Sequence, residues 1–192
     1  AAVAKYPNSP HVIWIDRDMT EAEIDGLYAA ASTYVHPARG EGFGLPVAEA
    51  MAAGVAVIAP ASTGLSDFVN ESTAQTIPFE VTAAQTHLSV PGSMWTEPDV
   101  LALAVAMRAS YDHPDNPVTA DRIRTARELV SQQFSWKAVA QRFSALIERE
   151  RSHLAAPSIA MVTTWNSRCG IAEYAADLVS GAADNWDIQI YA

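Results

Sequence analysis

Cysteine is nearly absent from this chain: Cys169 is the single one in 192 residues, so no internal disulfide can form and a reducing compartment, the cytoplasm, fits. Positive charge is scarce. There are 12 Lys and Arg against 22 Asp and Glu, a formal net charge of −10, and from Gly40 through Met107 neither Lys nor Arg occurs. That balance argues against a nucleic-acid backbone as partner, and no local basic stripe offsets it. No run of eighteen apolar residues and no low-complexity tract is present, so neither a membrane span nor disorder is indicated. No Gly-x-Gly-x-x-Gly follows a strand-like run, which disfavours a dinucleotide-dependent oxidoreductase. His11, His36, His87, His113 and His153 show no short-range ligand spacing, so no metal site is expected. The opening Ala1-Ala2-Val3-Ala4-Lys5 lacks an initiator Met and any long apolar stretch; it reads as a cut end without a signal peptide.

What is present is globular in class, with 49% hydrophobic and 18% charged residues, enough for one sizeable core or for one domain plus part of another. His11-Val12-Ile13-Trp14-Ile15-Asp16 has strand composition. Thr20 with Glu23 forms a capping box for a helix whose apolar positions are Ile24, Leu27, Tyr28 and Ala31. Ser32 to His36 and Val55 to Ala59 read as strands, Asp67-Phe68-Val69 as a short helical turn and Ala74 to Phe79 as a further strand. Alternation of this kind predicts an α/β fold, a Rossmann-like parallel sheet flanked by helices. Glu80 to Glu97 breaks the rhythm, with Val90-Pro91-Gly92 as a loop on or near the ligand face. Helices are expected over Pro98–Tyr111, Thr119–Gln132 and Ser135–Arg151, the last with Trp136, Val139, Ala140, Phe143, Leu146 and Ile147 on one core-facing side. Leu154-Ala155-Ala156-Pro157 reads as a linker, dividing the chain into residues 1–153 and 158–192. The second part predicts a strand from Ser158 to Thr163, a helix from Ile171 to Ser180 with apolar Ile171, Tyr174, Ala175 and Leu178, and a strand from Asp187 to Tyr191. Two strands and one helix cannot bury their own apolar residues, so this unit is expected to dock against the main sheet, within the chain or exchanged between two copies.

The segment Glu41-Gly42-Phe43-Gly44-Leu45-Pro46-Val47-Ala48-Glu49 carries the chemistry. Pro46 suits a first helical turn and Gly54 the position past the helix end, which places Glu49 in the first turn. Gly42 and Gly44 leave room for a ligand to approach main-chain N–H groups. A helix start offers N–H donors to a phosphate or sugar oxygen, while two carboxylates accept hydrogen bonds from sugar hydroxyls. An acid near a helix start is favoured by the dipole alone, so Glu49 by itself would be structural. The complete strand, loop, helix, strand unit is harder to account for that way.

This segment resembles the pattern Glu-Gly-Phe-Gly-Leu-Pro-x-x-Glu-Ala-Met-Ala of the retaining family 4 (group 1) glycosyltransferases of GT-B type, and matches it residue for residue. The resemblance runs over about residues 11–150 and includes Tyr34-Val35-His36-Pro37, the loop Ser62-Thr63-Gly64 and Phe134-Ser135-Trp136. It implies a C-terminal donor-binding domain in which Glu49 holds the ribose of a nucleotide donor. Glu41, the catalytic candidate, would hold and orient the transferred sugar with the main chain of Phe43, Gly44 and Leu45; Gly42, Thr63 and Gly64 would also belong to the donor site, and Arg17 and Met19 would lie near the nucleobase. Where the family often has Gly-Gly-x-Pro-Glu, this chain has Thr63-Gly64-Leu65-Ser66-Asp67, which puts a shorter acid and a bulkier neighbour on that side of the pocket. Residues 158–192 resemble the opening β-α-β of a following GT-B N-terminal domain, with Gly170-Ile171-Ala172-Glu173-Tyr174 as its helix start.

The function the resemblance implies is glycosyl transfer from a nucleotide-sugar donor to an unknown acceptor, with retention; the nucleotide sugar is a substrate, and no cofactor or metal is expected. Alternatives are a GT-B sugar-nucleotide epimerase and a non-catalytic nucleotide-sugar binding fragment. Charge does not balance within the chain: a diphosphate brings about two negative charges, whereas a helix end supplies about half a positive one. The resemblance implies an Arg and a Lys from an earlier turn of the same domain, before Ala1, so the chain on its own is expected to be inactive. Two partner readings stay open: peripheral membrane association through parts outside this sequence, and a homodimer made by exchange of the C-terminal β-α-β. His36 is weighed at about 3:1 as a packed or hydrogen-bonded residue against a catalyst. Cys169 at a helix start reads as an inert thiol, since no His or Asp constellation accompanies it.

Overall fold

The computed structural model describes residues 12–86, 90–151, 159–162, 170–182 and 188–191. Helix α1 (Glu21–Ala30) leads to strand β1 (Thr33–Val35), helix α2 (Leu45–Ala53) and strand β2 (Ala56–Ala59), then a 3-10 turn (Thr63–Asp67) and β3 (Gln75–Thr76). β1, β2 and β3 lie side by side in parallel, with Tyr34 opposite Val57 and Ile58 opposite Gln75. The sheet is covered on both faces, because successive residues of β2 bury in opposite directions. Val57 and Ala59 join Val47, Met51, Phe68 and Val130 in one cluster, under α2 and α4 (Pro117–Gln133). Ile58 packs with Ile77, Ala106 and Leu103 in another, under α3 (Val100–Asp112). The expected parallel sheet flanked by helices is therefore present.

Capping fixes where the helices begin. Asp99 accepts from the N–H groups of Leu101 and Ala102 at the start of α3, Asn116 from Val118 at α4, and Ser135 from Ala138 at α5 (Trp136–Glu150). Pro46 occupies the first turn of α2, and Gly54 closes it at φ 82, a left-handed angle that favours glycine. Glu49 is not in that first turn. Gly44, at φ 90, is the N-cap, so the helix starts at Leu45 and Glu49 sits one turn inside.

Two further expectations are corrected, and one stretch between them gains definition. Val12 to Asp16 is irregular rather than a strand, with Ile13 and Trp14 exposed; β1 pairs with β2 on one side, and no described residue offers the 12–16 run a ladder. Where Glu80 to Glu97 breaks the alternation, β4 (Phe79–Ala83) and β5 (Met94–Pro98) form an antiparallel hairpin with Val81 opposite Thr96, and Pro91-Gly92 lies in a turn of its connection, in keeping with the expected loop at residues 90–92. The Trp95 indole N–H donates to the Thr82 hydroxyl at 2.9 Å across that pair. In the C-terminal part, β6 (Ile159–Val162) and β7 (Ile188–Tyr191) pair in parallel around α6 (Gly170–Ala182), as expected, but α6 docks on α5 rather than on the main sheet. Its buried side is Ala172, Ala175 and Leu178, while Ile171 is exposed. The apolar side of α5 meets it there, with the Trp136 and Tyr174 rings 4.6 Å apart, while Leu146 stays exposed. The linker 154–157 and Cys169 lie outside the described residues.

At α1 the capping box is complete: the Glu23 N–H donates to the Thr20 hydroxyl, and the Glu23 carboxylate accepts from the Thr20 N–H at 2.9 Å. Arg17 adds a fork to the same carboxylate at 2.6 and 3.2 Å. The guanidinium first, then the Thr20 backbone, pull the Glu23 carboxyl from 4.5 to about 2. A depressed folded-state pKa gives stability that is complete above the unfolded value and lost as pH falls through the folded one. Glu23→Gln should therefore be less stable than the parent above pH 4.5, with the difference vanishing as pH falls towards about 2. Denaturation midpoints across that range check it, and a difference independent of pH would contradict it.

Candidate functional site

The site grows out of the C-terminal end of β1. The His36 N–H donates to the Ile58 carbonyl at 2.9 Å, extending the ladder one residue past the strand, after which Pro37 ends the pairing. Residues two apart in a strand share a face. Tyr34 and His36 accordingly stack with ring centroids 5.8 Å apart, and the Tyr34 Oη lies 3.2 Å from His36 Nδ1. His36 Nε2 lies 2.8 Å from Glu41 Oε1, both side chains being largely shielded at 18% and 29% exposure.

Glu41 is also held by its main chain. Its N–H donates to the Thr63 hydroxyl at 3.0 Å, and its carbonyl accepts from the Gly64 N–H at 3.0 Å. Thr63 adopts φ 50, an angle that L residues rarely take, and its hydroxyl bond to Glu41 goes with that strained backbone. At Gly64 a Cβ would stand 2.1 Å from the Gly42 carbonyl oxygen, so the two loops touch backbone to backbone. Leu65, the bulky member of the Thr63–Asp67 turn, does not face the pocket: it is buried in the core and lies against Gly44.

Phe43 has its ring among those of Phe68 and Phe134, at 5.1 and 5.4 Å. With the side chain committed to the core, what Phe43 offers a ligand is its main chain. The N–H groups of Phe43, Gly44 and Leu45 find no acceptor among the described residues, whereas those of Val47 and Ala48 close on the Gly44 carbonyl at 3.0 and 3.2 Å. Three donors at a helix start thus stand beside Glu41. Glu49, exposed on α2, accepts from the Tyr28 hydroxyl at 3.1 Å through Oε2, and Tyr28 also reaches the Pro46 carbonyl at 3.1 Å. Burial first, and then the Glu49 charge, push the Tyr28 hydroxyl upward; burial and then Glu41 do the same to Tyr34. Both phenols therefore remain donors at neutral pH.

The cation adjacent in sequence is spoken for. Arg39 forks onto Glu97 at 2.6 and 2.9 Å and lies 4.6 Å over the Trp95 ring. Its carbonyl accepts from the Thr96 N–H and hydroxyl, each at 2.9 Å, so β5 pins the loop. Arg17 turns to Glu23 and the Asp18 carbonyl, and its hydrogen bonds do not bring it or its neighbour Met19 to the loop. A mainly apolar cavity of about 640 Å³ is lined by Leu45 and Glu49 themselves, with Phe43, Phe134, Trp136, Arg142 and Tyr174 among others. Among the described residues no three of His, Cys, Asp and Glu converge as metal ligands, and no helix is long and apolar enough to cross a membrane.

Tyr28, the bond from Thr63 to the Glu41 main chain and the contact from His36 to Glu41 are the parts of the site that sequence reading missed. Thr63 had a signal, since it stands where the motif pattern carries glycine. Tyr28 had none, because it lies 21 residues from Glu49 on a different helix.

Residues 1–85 match the family model described as glycosyl transferases group 1. The chain is 35% identical over 96 residues to the O-antigen chain mannosyltransferase B of Escherichia coli, covering 48% of this chain and 25% of that protein. Its fold is similar to that of sucrose-phosphate synthase from Thermosynechococcus elongatus, with a TM-score of 0.59 at 27% identity over 80% of this chain and 33% of that one. The chain thus spans about a quarter of the curated relative and a third of the solved structure. The matched family region contains the whole loop from Glu41 to Glu49 and its clamp at Thr63 and Gly64.

The clamp makes a paired prediction. Gly64→Ala should cost about 1–3 kcal/mol, the usual range for forced overpacking, because the carbonyl it meets is backbone. Gly42→Ala, where a Cβ meets nothing within 4 Å, should be close to neutral. Denaturant titration of both variants decides it, and equal stabilities would show that the two loops are not in contact.

Proposed function

We propose that this chain supplies the sugar and ribose part of a nucleotide-sugar donor site, serving glycosyl transfer with retention to an acceptor whose identity is open. The observation that carries the proposal is the arrangement at the ends of one loop. Two carboxylates, each with one oxygen held by a neighbour and the other available, flank three main-chain N–H donors at a helix start. Sugar hydroxyls are neutral donors and match the carboxylates, while phosphate or ring oxygens match the N–H groups. Glu49 is assigned to the ribose and Glu41 to the transferred sugar, as the motif's resemblance implies, and the likeness to group 1 glycosyltransferases over residues 1–85 supports the reading.

The leaving diphosphate needs charge stabilisation as the glycosidic bond breaks, and fixed N–H dipoles supply part of it without reorganising. Positive side chains must supply the rest. Arg39 is neutralised by Glu97 and Arg17 by Glu23, the stretch from Gly40 to Glu49 carries no Lys or Arg, and Arg142, which lines the cavity beside Leu45 and Glu49, donates to the Gln133 carbonyl. The chain alone is accordingly proposed to bind a donor without turning it over.

Glu49→Ala should weaken nucleotide-sugar binding by about 1–3 kcal/mol, the range for a charged hydrogen-bond partner. The fold should survive, because the exposed Glu49 leaves no buried gap and Tyr28 keeps the Pro46 carbonyl as acceptor. Titration calorimetry with nucleotide sugars measures this; an unchanged affinity would overturn the ribose assignment.

A further inference from the structure

We propose that His36 is a positioning residue for Glu41, held by Tyr34 with its proton on Nε2, so that one carboxylate oxygen of Glu41 is fixed and the other is presented to the transferred sugar. The inference rests on the donor-site reading above but concerns residues that reading does not use.

A neutral tyrosine has one hydroxyl proton to give, and the acceptor 3.2 Å from the Tyr34 oxygen is His36 Nδ1. An Nδ1 that accepts carries no proton, so the neutral ring must carry it on Nε2. That nitrogen faces Glu41 Oε1 at 2.8 Å, where the opposite tautomer would set a lone pair against a carboxylate. The upward push on the Tyr34 hydroxyl, by burial and by the Glu41 charge, keeps it in the donating form. Both ring nitrogens are thereby assigned.

The consequence for Glu41 is geometric. Its backbone is tied at the N–H by Thr63 and at the carbonyl by Gly64, and its side-chain end is tied by His36. A free glutamate would have to give up its rotamer freedom on meeting a ligand. Here that ordering is complete before the ligand arrives, which favours a sugar hydroxyl placed to meet Oε2. The ring stack with Tyr34 holds the imidazole in plane, and Tyr28 packs edge-on against Tyr34 at 5.9 Å, so the tyrosine at the base of the chain is itself braced.

The test separates sugar recognition from nucleotide recognition in the full chain, using UDP and GDP and their glucose and mannose esters as probes. His36→Leu should weaken the matching nucleotide sugar about 10-fold, the loss of one charged hydrogen bond, while the free nucleoside diphosphate binds as before. His36→Gln, whose amide N–H can stand in for Nε2–H, should restore most of the sugar-dependent affinity. Nitrogen NMR of the His36 ring should show Nε2 protonated and Nδ1 bare in the parent. Equal weakening of both ligand types, or no weakening of either when the parent binds them, would overturn the positioning role, as would a ring protonated on Nδ1 alone. Failure of the parent chain to bind any of the probes would instead remove the donor-site reading on which the role depends.

Discussion

Two hydrogen bonds at the main chain of Glu41 hold the site together. They join the loop after β1 to the turn after β2, and they do so without using the Glu41 side chain. Everything chemical about the loop depends on that division. The backbone of residue 41 serves structure, its carboxylate stays available, and the close approach it needs is possible because residue 64 has no Cβ. The same logic repeats at Phe43, whose ring anchors the loop in the core while its N–H remains without an acceptor among the described residues.

The surrounding fold reads as a support for this loop. The parallel sheet sets the end of β1 beside the end of β2, which brings His36, Glu41 and Thr63 to one edge, the usual place for ligands in open α/β sheets. The β4–β5 hairpin holds the loop from a second direction through Thr96 and Glu97. Its cost is that the Arg39 guanidinium becomes an anchor instead of a counter-charge. Two carboxylates beside the loop offer charged acceptors to neutral hydroxyl donors, which is the chemistry the proposed donor sugar would use.

Much of this was legible in the sequence where local chemistry dictates local structure. The capping box Thr20 with Glu23, Pro46 at a helix start and Gly54 at its end act over four residues or fewer, and each fell where expected. The position of Glu49 was misjudged by a turn because a left-handed Gly44 can serve as N-cap without a side chain, which leaves no signature beyond the glycine itself. The strand expected at residues 11–16 had the right composition. Strands, however, are made by partners, and composition does not say whether a partner stands alongside. The β4–β5 hairpin was hidden for a related reason: its pairing of Thr82 with Trp95 spans a long connection, and Pro98 in the second strand reads as a breaker. On α6 the expected Ala175 and Leu178 are buried, whereas Ala172 takes the inside place of Ile171, because which side is buried is decided by α5.

The contacts that make the loop a site were the least visible of all, since Tyr28 with Glu49 and Thr63 with Glu41 join residues about 20 positions apart. They are also what the account rests on. An amide-resolved NMR titration of the chain with a nucleotide sugar tests it most directly. The account predicts that the largest shifts fall on the N–H groups of Phe43, Gly44 and Leu45, with smaller ones at Glu41 and Thr63. Shifts confined to the apolar cavity around Phe134, Trp136 and Tyr174, with the loop amides unmoved, would contradict it.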